Sequence, residues 1–359
     1  MQEIPFENEK DTVTSKCDGC GANMVFDPET QMLKCPHCGS VKDFEKSNVV
    51  EEIDVLKAFS NGETWKDDSS VYRCENCGAV VVLASGQTAT RCPYCETSHV
   101  VKSEETAGLK PNAVYPFTVS RQNALEFSKK WAKSKLFAPR KFKKNLSEEN
   151  FRGVYQPSFT FDSQTRSVYH GRIGKRHTRT VGSGKNRRTE TYIVWRDISG
   201  TYDEFFNDVL INGDTTYSQN TLNKISPFNY SDIKVYGDEY LTGYMAKRSD
   251  RTVESCWDDA KSLIDDSIRR GILSRYVYDV VSYLNVSTTH QDVTYKYVLL
   301  PVYLLNYRYG KKLYSVHING NTGKVAGKSP VSPLRVLVAV LLGIALVGLI
   351  GFLYYHFGG

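Results

Sequence analysis

From Val336 to Tyr355 the chain runs twenty residues without a charge, VLVAVLLGIALVGLIGFLYY, and shows no polar face. At ~1.5 Å per residue such a helix spans ~30 Å, the thickness of a bilayer core. The pattern predicts one transmembrane helix over 336–355, reached through a proline-marked linker at 328–335. A second helix is predicted near Thr252–Leu273, where Val253, Trp257, Ala260, Ile264 and Ile268 recur every three or four residues. Asp258 and Asp259 lie early in it, Arg269 and Arg270 late, and Gly271 follows, as the helix dipole and a C-cap favour. Cys256, beside Trp257, reads as a small packed core residue. Another helix is expected near Val119–Leu136.

Around these two helices, residues 112–327 turn to long aromatic-rich strands. GVYQPSFTFDSQTRSVYHGRIG resembles VLLPVYLLNYRYGKKLYSVHING when Pro157 is set against Pro301, and each stretch follows one of the helices. This suggests an α+β domain of two related helix-plus-antiparallel-hairpin halves. HINGNTGKVAG carries Asn-Gly and Thr-Gly hairpin-turn signals.

The first hundred residues hold the sharpest chemistry. Cys17, Cys20, Cys35 and Cys38 have the spacing C-x2-C-x14-C-x2-C, and Cys74, Cys77, Cys92 and Cys95 repeat it without a gap at an offset of 57 residues. Each C-x-x-C turn sets two sulfurs on one side of a knuckle, and fourteen residues suit a β-hairpin that brings the second pair opposite the first. Four thiolates at ~2.3 Å make a closed tetrahedral zinc site with no open position. Met24-Val25-Phe26 and Val80-Val81-Val82-Leu83 read as outgoing strands, with turns at Asp27-Pro28-Glu29 and Ser85-Gly86. Gly21 and Gly78 follow the first knuckles, where positive φ suits a tight turn. A disulfide framework would need an oxidising compartment. A rubredoxin-like iron site, with similar C-P-x-C knuckles, stays open as the alternative to two zincs per chain. At this point the sequence resembles the zinc-ribbon superfamily, as in the ribbon of transcription factor IIB.

The expected organisation is a flexible N-terminus at 1–15, ribbon 1 at 16–40, and a charged connector at 41–71 with a short helix in VVEEIDVLKAF. Ribbon 2 follows at 72–100, then the α+β domain at 112–327, the linker and the membrane helix. The net charge of +6 and 24% charged residues are ordinary for a globular chain, and 23 tyrosines favour strands over disorder. The first sixteen residues show no apolar signal region. Lys324, Lys328 and Arg335 precede the apolar helix, so positive-inside reasoning puts the bulk of the chain in the cytoplasm and the C-terminus outside. The expected location is the cell membrane, crossed once.

Two basic stretches remain. Lys129 to Lys144 holds eight Lys or Arg and no acid, interleaved with Trp131, Phe137 and Phe142. Residues 171–188 hold Arg172, Lys175, Arg176, Arg179, Lys185, Arg187 and Arg188 with four glycines and no acid, and read as a flexible loop near the inner leaflet or an acidic partner. Its candidate ligands are anionic lipid or nucleic acid; GSGKN lacks the upstream glycine and following Ser/Thr of a P-loop. No catalytic constellation is recognisable. His37 is a spacer inside CPHC, and His170 and His317 fall in equivalent places of the related hairpins, where strand roles are the safer reading.

The combination of two ribbons, a tyrosine-rich α+β domain and a terminal span resembles bacterial transcription-factor-IIB-type zinc-ribbon membrane proteins, primosomal-helicase-like by label alone. Relatives in Gram-positive bacteria accompany phage-shock-protein A homologues, which implies a membrane scaffold role in envelope stress. The expected function is a non-enzymatic, tail-anchored adaptor recruiting protein partners at the cytoplasmic face, with no small-molecule substrate and with Met24–Phe26 and Val80–Leu83 either as contact strands or packed against the α+β domain. A membrane-tethered nucleic-acid-binding ribbon protein is the alternative; the nearly neutral hairpin VVVLASGQTAT favours protein contact.

Overall fold

A computed structural model describes residues 16–58, 70–83, 92, 94, 100–103, 109–144, 146, 151–309 and 312–357. The expected flexible stretch 1–15, the turn at Ser85-Gly86 and Cys95 lie outside them. The N-terminal part contains β1 (Val25–Asp27), β2 (Met32–Lys34), β3 (Val41–Lys42), β4 (Ile53–Asp54), α1 (Val55–Ala58), β5 (Ser70–Cys74), β6 (Val80–Leu83) and β7 (Val100–Ser103). Then come β8 (Ala113–Val114), α2 (Arg121–Ser134), α3 (Arg140–Lys144), β9 (Phe151–Val181), β10 (Arg188–Asn212), α4 (Gln219–Ile225), β11 (Lys234–Val235) and β12 (Met245–Lys247). The chain closes with α5 (Val253–Ser274), β13 (Val280–Tyr309), β14 (Lys312–Asn319), β15 (Val325–Gly327) and α6 (Pro333–Phe357). The fold is α+β, with one large sheet, six α-helices among the described residues and one apolar C-terminal helix.

Two strands of unusual length hold the sheet together. β9 has 31 residues and β13 has 30, and they pair antiparallel from Phe151↔Leu305 to Gly174↔Val280. At ~3.3 Å per residue each approaches ~100 Å, against the ~3–10 residues of an ordinary strand. β10 continues antiparallel along the other side of β9, while β14, and through it β15, adds to β13. β12 runs parallel to β9 at Val154–Tyr155, and β8 runs parallel to β13 at Val298–Leu299.

The burial pattern along β9 divides this ladder into three zones. Residues 154–163 are buried on both faces. From Thr165 to Ile173 inward and outward residues alternate, because α5 covers one face with Ile264, Ile268 and Ile272 against Tyr169, Ile173 and Leu284. Beyond Gly174, where β13 ends, β9 and β10 continue as an exposed two-stranded ribbon. The stretch 171–188 is therefore not a loop. Residues 171–181 are the end of β9, paired with β10 beyond a short turn at Gly182–Arg187, and Arg172 and Arg179 find acids on that facing strand that local reading could not supply.

Helix α5 starts one residue inside the expected bound, with the Thr252 hydroxyl accepting from the Ser255 N–H. It does not stop at Gly271. The helix passes through to Ser274, and Gly271 is where the Tyr202 ring lies too close for any Cβ. Cys256 is fully buried on this helix, and burial pushes its thiol up to about 11.

At its 333–353 segment α6 has a mean hydropathy of 3.0, and none of it is buried within the molecule. It is long and apolar enough to cross a membrane.

Candidate metal centres

Three knuckles repeat one backbone geometry. The N–H of Gly21 donates to Cys17 O at 2.8 Å, that of Gly39 to Cys35 O at 3.0 Å, and that of Gly78 to Cys74 O at 2.9 Å. In return Cys17, Cys35 and Cys74 donate to the carbonyls of Ala22, Ser40 and Ala79. The three glycines have φ of 69°, 75° and 73°, so a side chain there would be strained. Gly39 completes the same C-x-x-C-G signature as Gly21 and Gly78.

The sulfurs converge as a result. Those of Cys17, Cys20, Cys35 and Cys38 lie within 4.8 Å of one another, as do those of Cys74, Cys77 and Cys92. Neighbouring pairs stand at 3.4 Å (Cys17–Cys38), 3.5 Å (Cys20–Cys35) and 3.6 Å (Cys77–Cys92). Thiolates at ~2.3 Å from a tetrahedral ion would stand ~3.8 Å apart, so both groups fit a metal without rearrangement. The Ser40 hydroxyl, 3.1 Å from Cys38 Sγ, together with the Ser40 backbone N–H, holds the Cys38 thiol down at about 6. Backbone hydrogen bonds from Cys38 and His37 lower Cys35 too. Their sulfur partner Cys20 goes the other way: against the lowering backbone hydrogen bond of Ala22, its hydrogen bonds to Cys35, Cys38 and Cys17, with desolvation, push it up to about 12. His37 is exposed and is no member of the group.

Of the two readings of Met24–Phe26 and Val80–Leu83, packing against the chain's own domain is what Met24, Phe26, Val80 and Val82 show. Met24 and Phe26 are buried, the Phe26 N–H donates to Thr242 O at 2.9 Å, and Gln31 Nε2 donates to Phe117 O at 2.8 Å. In the second group β6 is itself a strand of the large sheet, paired with β12 through Met245↔Leu83 to Lys247↔Val81. Tyr94, between the last two cysteines, reaches Gln156 at 3.3 Å, and the buried Lys247 ammonium sits 4.9 Å from its ring. Asp214 pairs with that ammonium. The hairpins bury their apolar faces because an isolated ribbon is too small to hide them alone. The connector is strapped down as well. β4 pairs with β13, and the Val235 N–H donates to Ser47 O at 2.8 Å.

The basic residues of 171–188 are partly neutralised. Arg172 grips Asp197 with two bonds of 2.7 and 3.0 Å, and Arg179 and Arg188 share Glu190 at 3.4 and 2.9 Å. Lys175 and Arg187 are exposed, and the Lys185 side chain lies outside the described residues. His170 and His317 are not brought together. His170 is exposed beside Asn285, near the start of β13, whereas His317 is half-buried against Tyr217 near the other end.

No family model matches the chain, and no solved structure matches it. It is 30% identical over 327 residues to the uncharacterized protein YdjG of Bacillus subtilis (strain 168), which covers 89% of this chain and 91% of that protein. At that identity over that share of both chains, the chain belongs to the family of YdjG.

Proposed function

We propose that this chain is a membrane-anchored, zinc-stabilised adaptor that recruits protein partners at the cytoplasmic face of the membrane. The observation that carries the reading is the distal ribbon, where Tyr192, Ile193, Val194 and Trp195 are exposed at consecutive positions on both faces of a projecting hairpin. An uncovered run of large apolar side chains with a rim of charges is the kind of surface another protein covers. Gly174 lets Ile193 and Trp195 lie flat there, since a Cβ would stand 2.4 Å from Ile193.

In this reading each chain holds two zincs, with Cys95 completing the second set. Four-thiolate sites leave no position for substrate, so their work is structural. The apolar helix anchors the body, and Lys324, Lys328 and Arg335 before it favour a cytoplasmic body with the C-terminus outside. The resemblance to ribbon membrane proteins that accompany phage-shock-protein A homologues supports a role in envelope stress. We read β8–α2–β9–β10 and β12–α5–β13–β14 as two copies of one tyrosine-rich unit. In support, each first strand runs parallel to the other copy's long strand, and Pro157↔Leu299 and Pro301↔Tyr155 flank Gln156↔Leu300.

A second reading, nucleic-acid binding, draws on the cations beside Tyr192 and Trp195; Arg179 lies 5.6 Å over the Tyr192 ring. The acids that pair with several of these cations weigh against it. The deciding experiment compares proteins co-purified with the solubilised full chain and with a variant carrying Ile193→Ser and Trp195→Ser. Loss of specific partners, with membrane insertion and metal content unchanged, is expected. An identical partner set contradicts the reading, and loss of DNA retention alone favours the second.

A further inference from the structure

The other basic stretch, 129–144, lies at the root of α6. Between α2 and α3 the chain turns through Lys135, Leu136, Phe137, Ala138 and Pro139, and this elbow is fastened to the residues that lead into the apolar helix. The Ser332 N–H donates to Phe137 O at 2.8 Å, and Arg335 Nη1 donates to Leu136 O at 3.1 Å. Around that junction four apolar side chains stand in the open: Leu136 is 77% exposed, Phe137 41%, Val331 57% and Leu334 69%. Just behind them Lys129, Lys130, Lys133, Arg140 and Lys141 are exposed, and Lys135 lies 4.8 Å over the Trp131 ring. No acid occurs between residues 127 and 147.

We infer that the α2–α3 elbow is a binding surface for the anionic phospholipid headgroups of the leaflet in which α6 begins. The inference rests on the reading of α6 as a membrane anchor. An apolar collar where a membrane helix leaves its domain lies at the boundary of headgroups and acyl chains, and cations beside it face the phosphates. A water-filled setting would leave the collar uncovered. The alternative basic surface, 171–188, lies at the far end of β9. α2 meets β9 at its start, where Arg121 donates to Phe151 O at 2.6 Å, and Val181 is thirty residues further on, up to ~100 Å at ~3.3 Å per residue.

Hydrogen–deuterium exchange of the full chain in nanodiscs tests this. Discs of pure phosphatidylcholine are compared with discs containing phosphatidylglycerol, and the same pair is run with a Lys129→Gln, Lys130→Gln, Lys133→Gln, Arg140→Gln, Lys141→Gln variant. The expected result is several-fold slower exchange over 131–141 in the anionic discs, lost at high salt and lost in the variant. Inorganic phosphate added to neutral discs should not reproduce it. Equal exchange in both lipids, with 336–353 protected, overturns the inference and leaves the anchor standing. Protection by free phosphate, or lipid-dependent protection at 171–188 in place of 131–141, overturns it too. Absence of protection over 336–353 overturns the anchor and the inference together.

Discussion

The ring of Phe26, on the first cysteine hairpin, stands 5.3 Å from that of Tyr240, on the body. Phe44 closes the group at 5.1 Å from Tyr240. The first cysteine cluster thus sits on a hairpin whose apolar side completes the core of the α+β domain. Phe26→Ala should lower the unfolding free energy by ~3–5 kcal/mol, the range for emptying a buried aromatic site. Phe205→Ala, at an exposed β10 position, should change it by less than ~0.5 kcal/mol. Urea unfolding of both variants in detergent checks the contrast.

Lys296 on β13 provides a second lock. Its ammonium is buried and lies 3.2 Å from Asp162 on β9, 3.0 Å from Asp208 on β10 and 2.9 Å from Glu52 on the connector. Asp208 sits in the β10 bulge with φ 53°, and Asp292 in the β13 bulge has φ 49°, so both irregularities flank this one charge cluster. Burial opposes the charge on Lys296, but the bonds to Glu52 and Asp208 and the nearby Asp162 outweigh it and raise its pKa. Lys296→Ala would strand the buried Asp162 and the partly buried Asp208 and should cost ~3–5 kcal/mol. Glu52→Gln, at the half-exposed edge of the cluster, should cost no more than ~1 kcal/mol. Thermal melts of the two variants rank the effects.

Deleting residues 333–359 should release a soluble fragment that keeps both cysteine clusters, since the apolar run of α6 is not buried in the body, to which Arg335 bonds at the helix root. Sedimentation after a high-salt wash, followed by metal analysis of the supernatant, measures this. A fragment that still pellets would mean that another segment holds the membrane.

How much of this was legible in the sequence follows from how local each signal is. The cysteine spacing, the α5 stripe and the uncharged run of α6 are written within short windows, and each appears near its expected bounds. The long ladder is not local. Gly174 learns of Val280, and Arg172 of Asp197, only through a register that no short window contains. Glycines and cations at 171–188 therefore read locally as a loop, although Asp197 and Glu190, the acids that pair with Arg172 and Arg179, lie on the facing strand. Whether the cysteine hairpins stand free or pack on the body is open in the sequence for the same reason. Val80–Leu83 reads identically whether its neighbour is solvent or β12, and Tyr94 carries no local sign that Lys247 will lie against its ring.

The central claim, that two closed thiolate sites are built into this body, is tested most directly by counting the metal. Elemental analysis of the purified full chain should give two zincs per molecule. Cys35→Ser should reduce that to one, because the second set is held independently by β5 and β6. A single zinc in the unaltered chain, or mainly iron, would contradict the account.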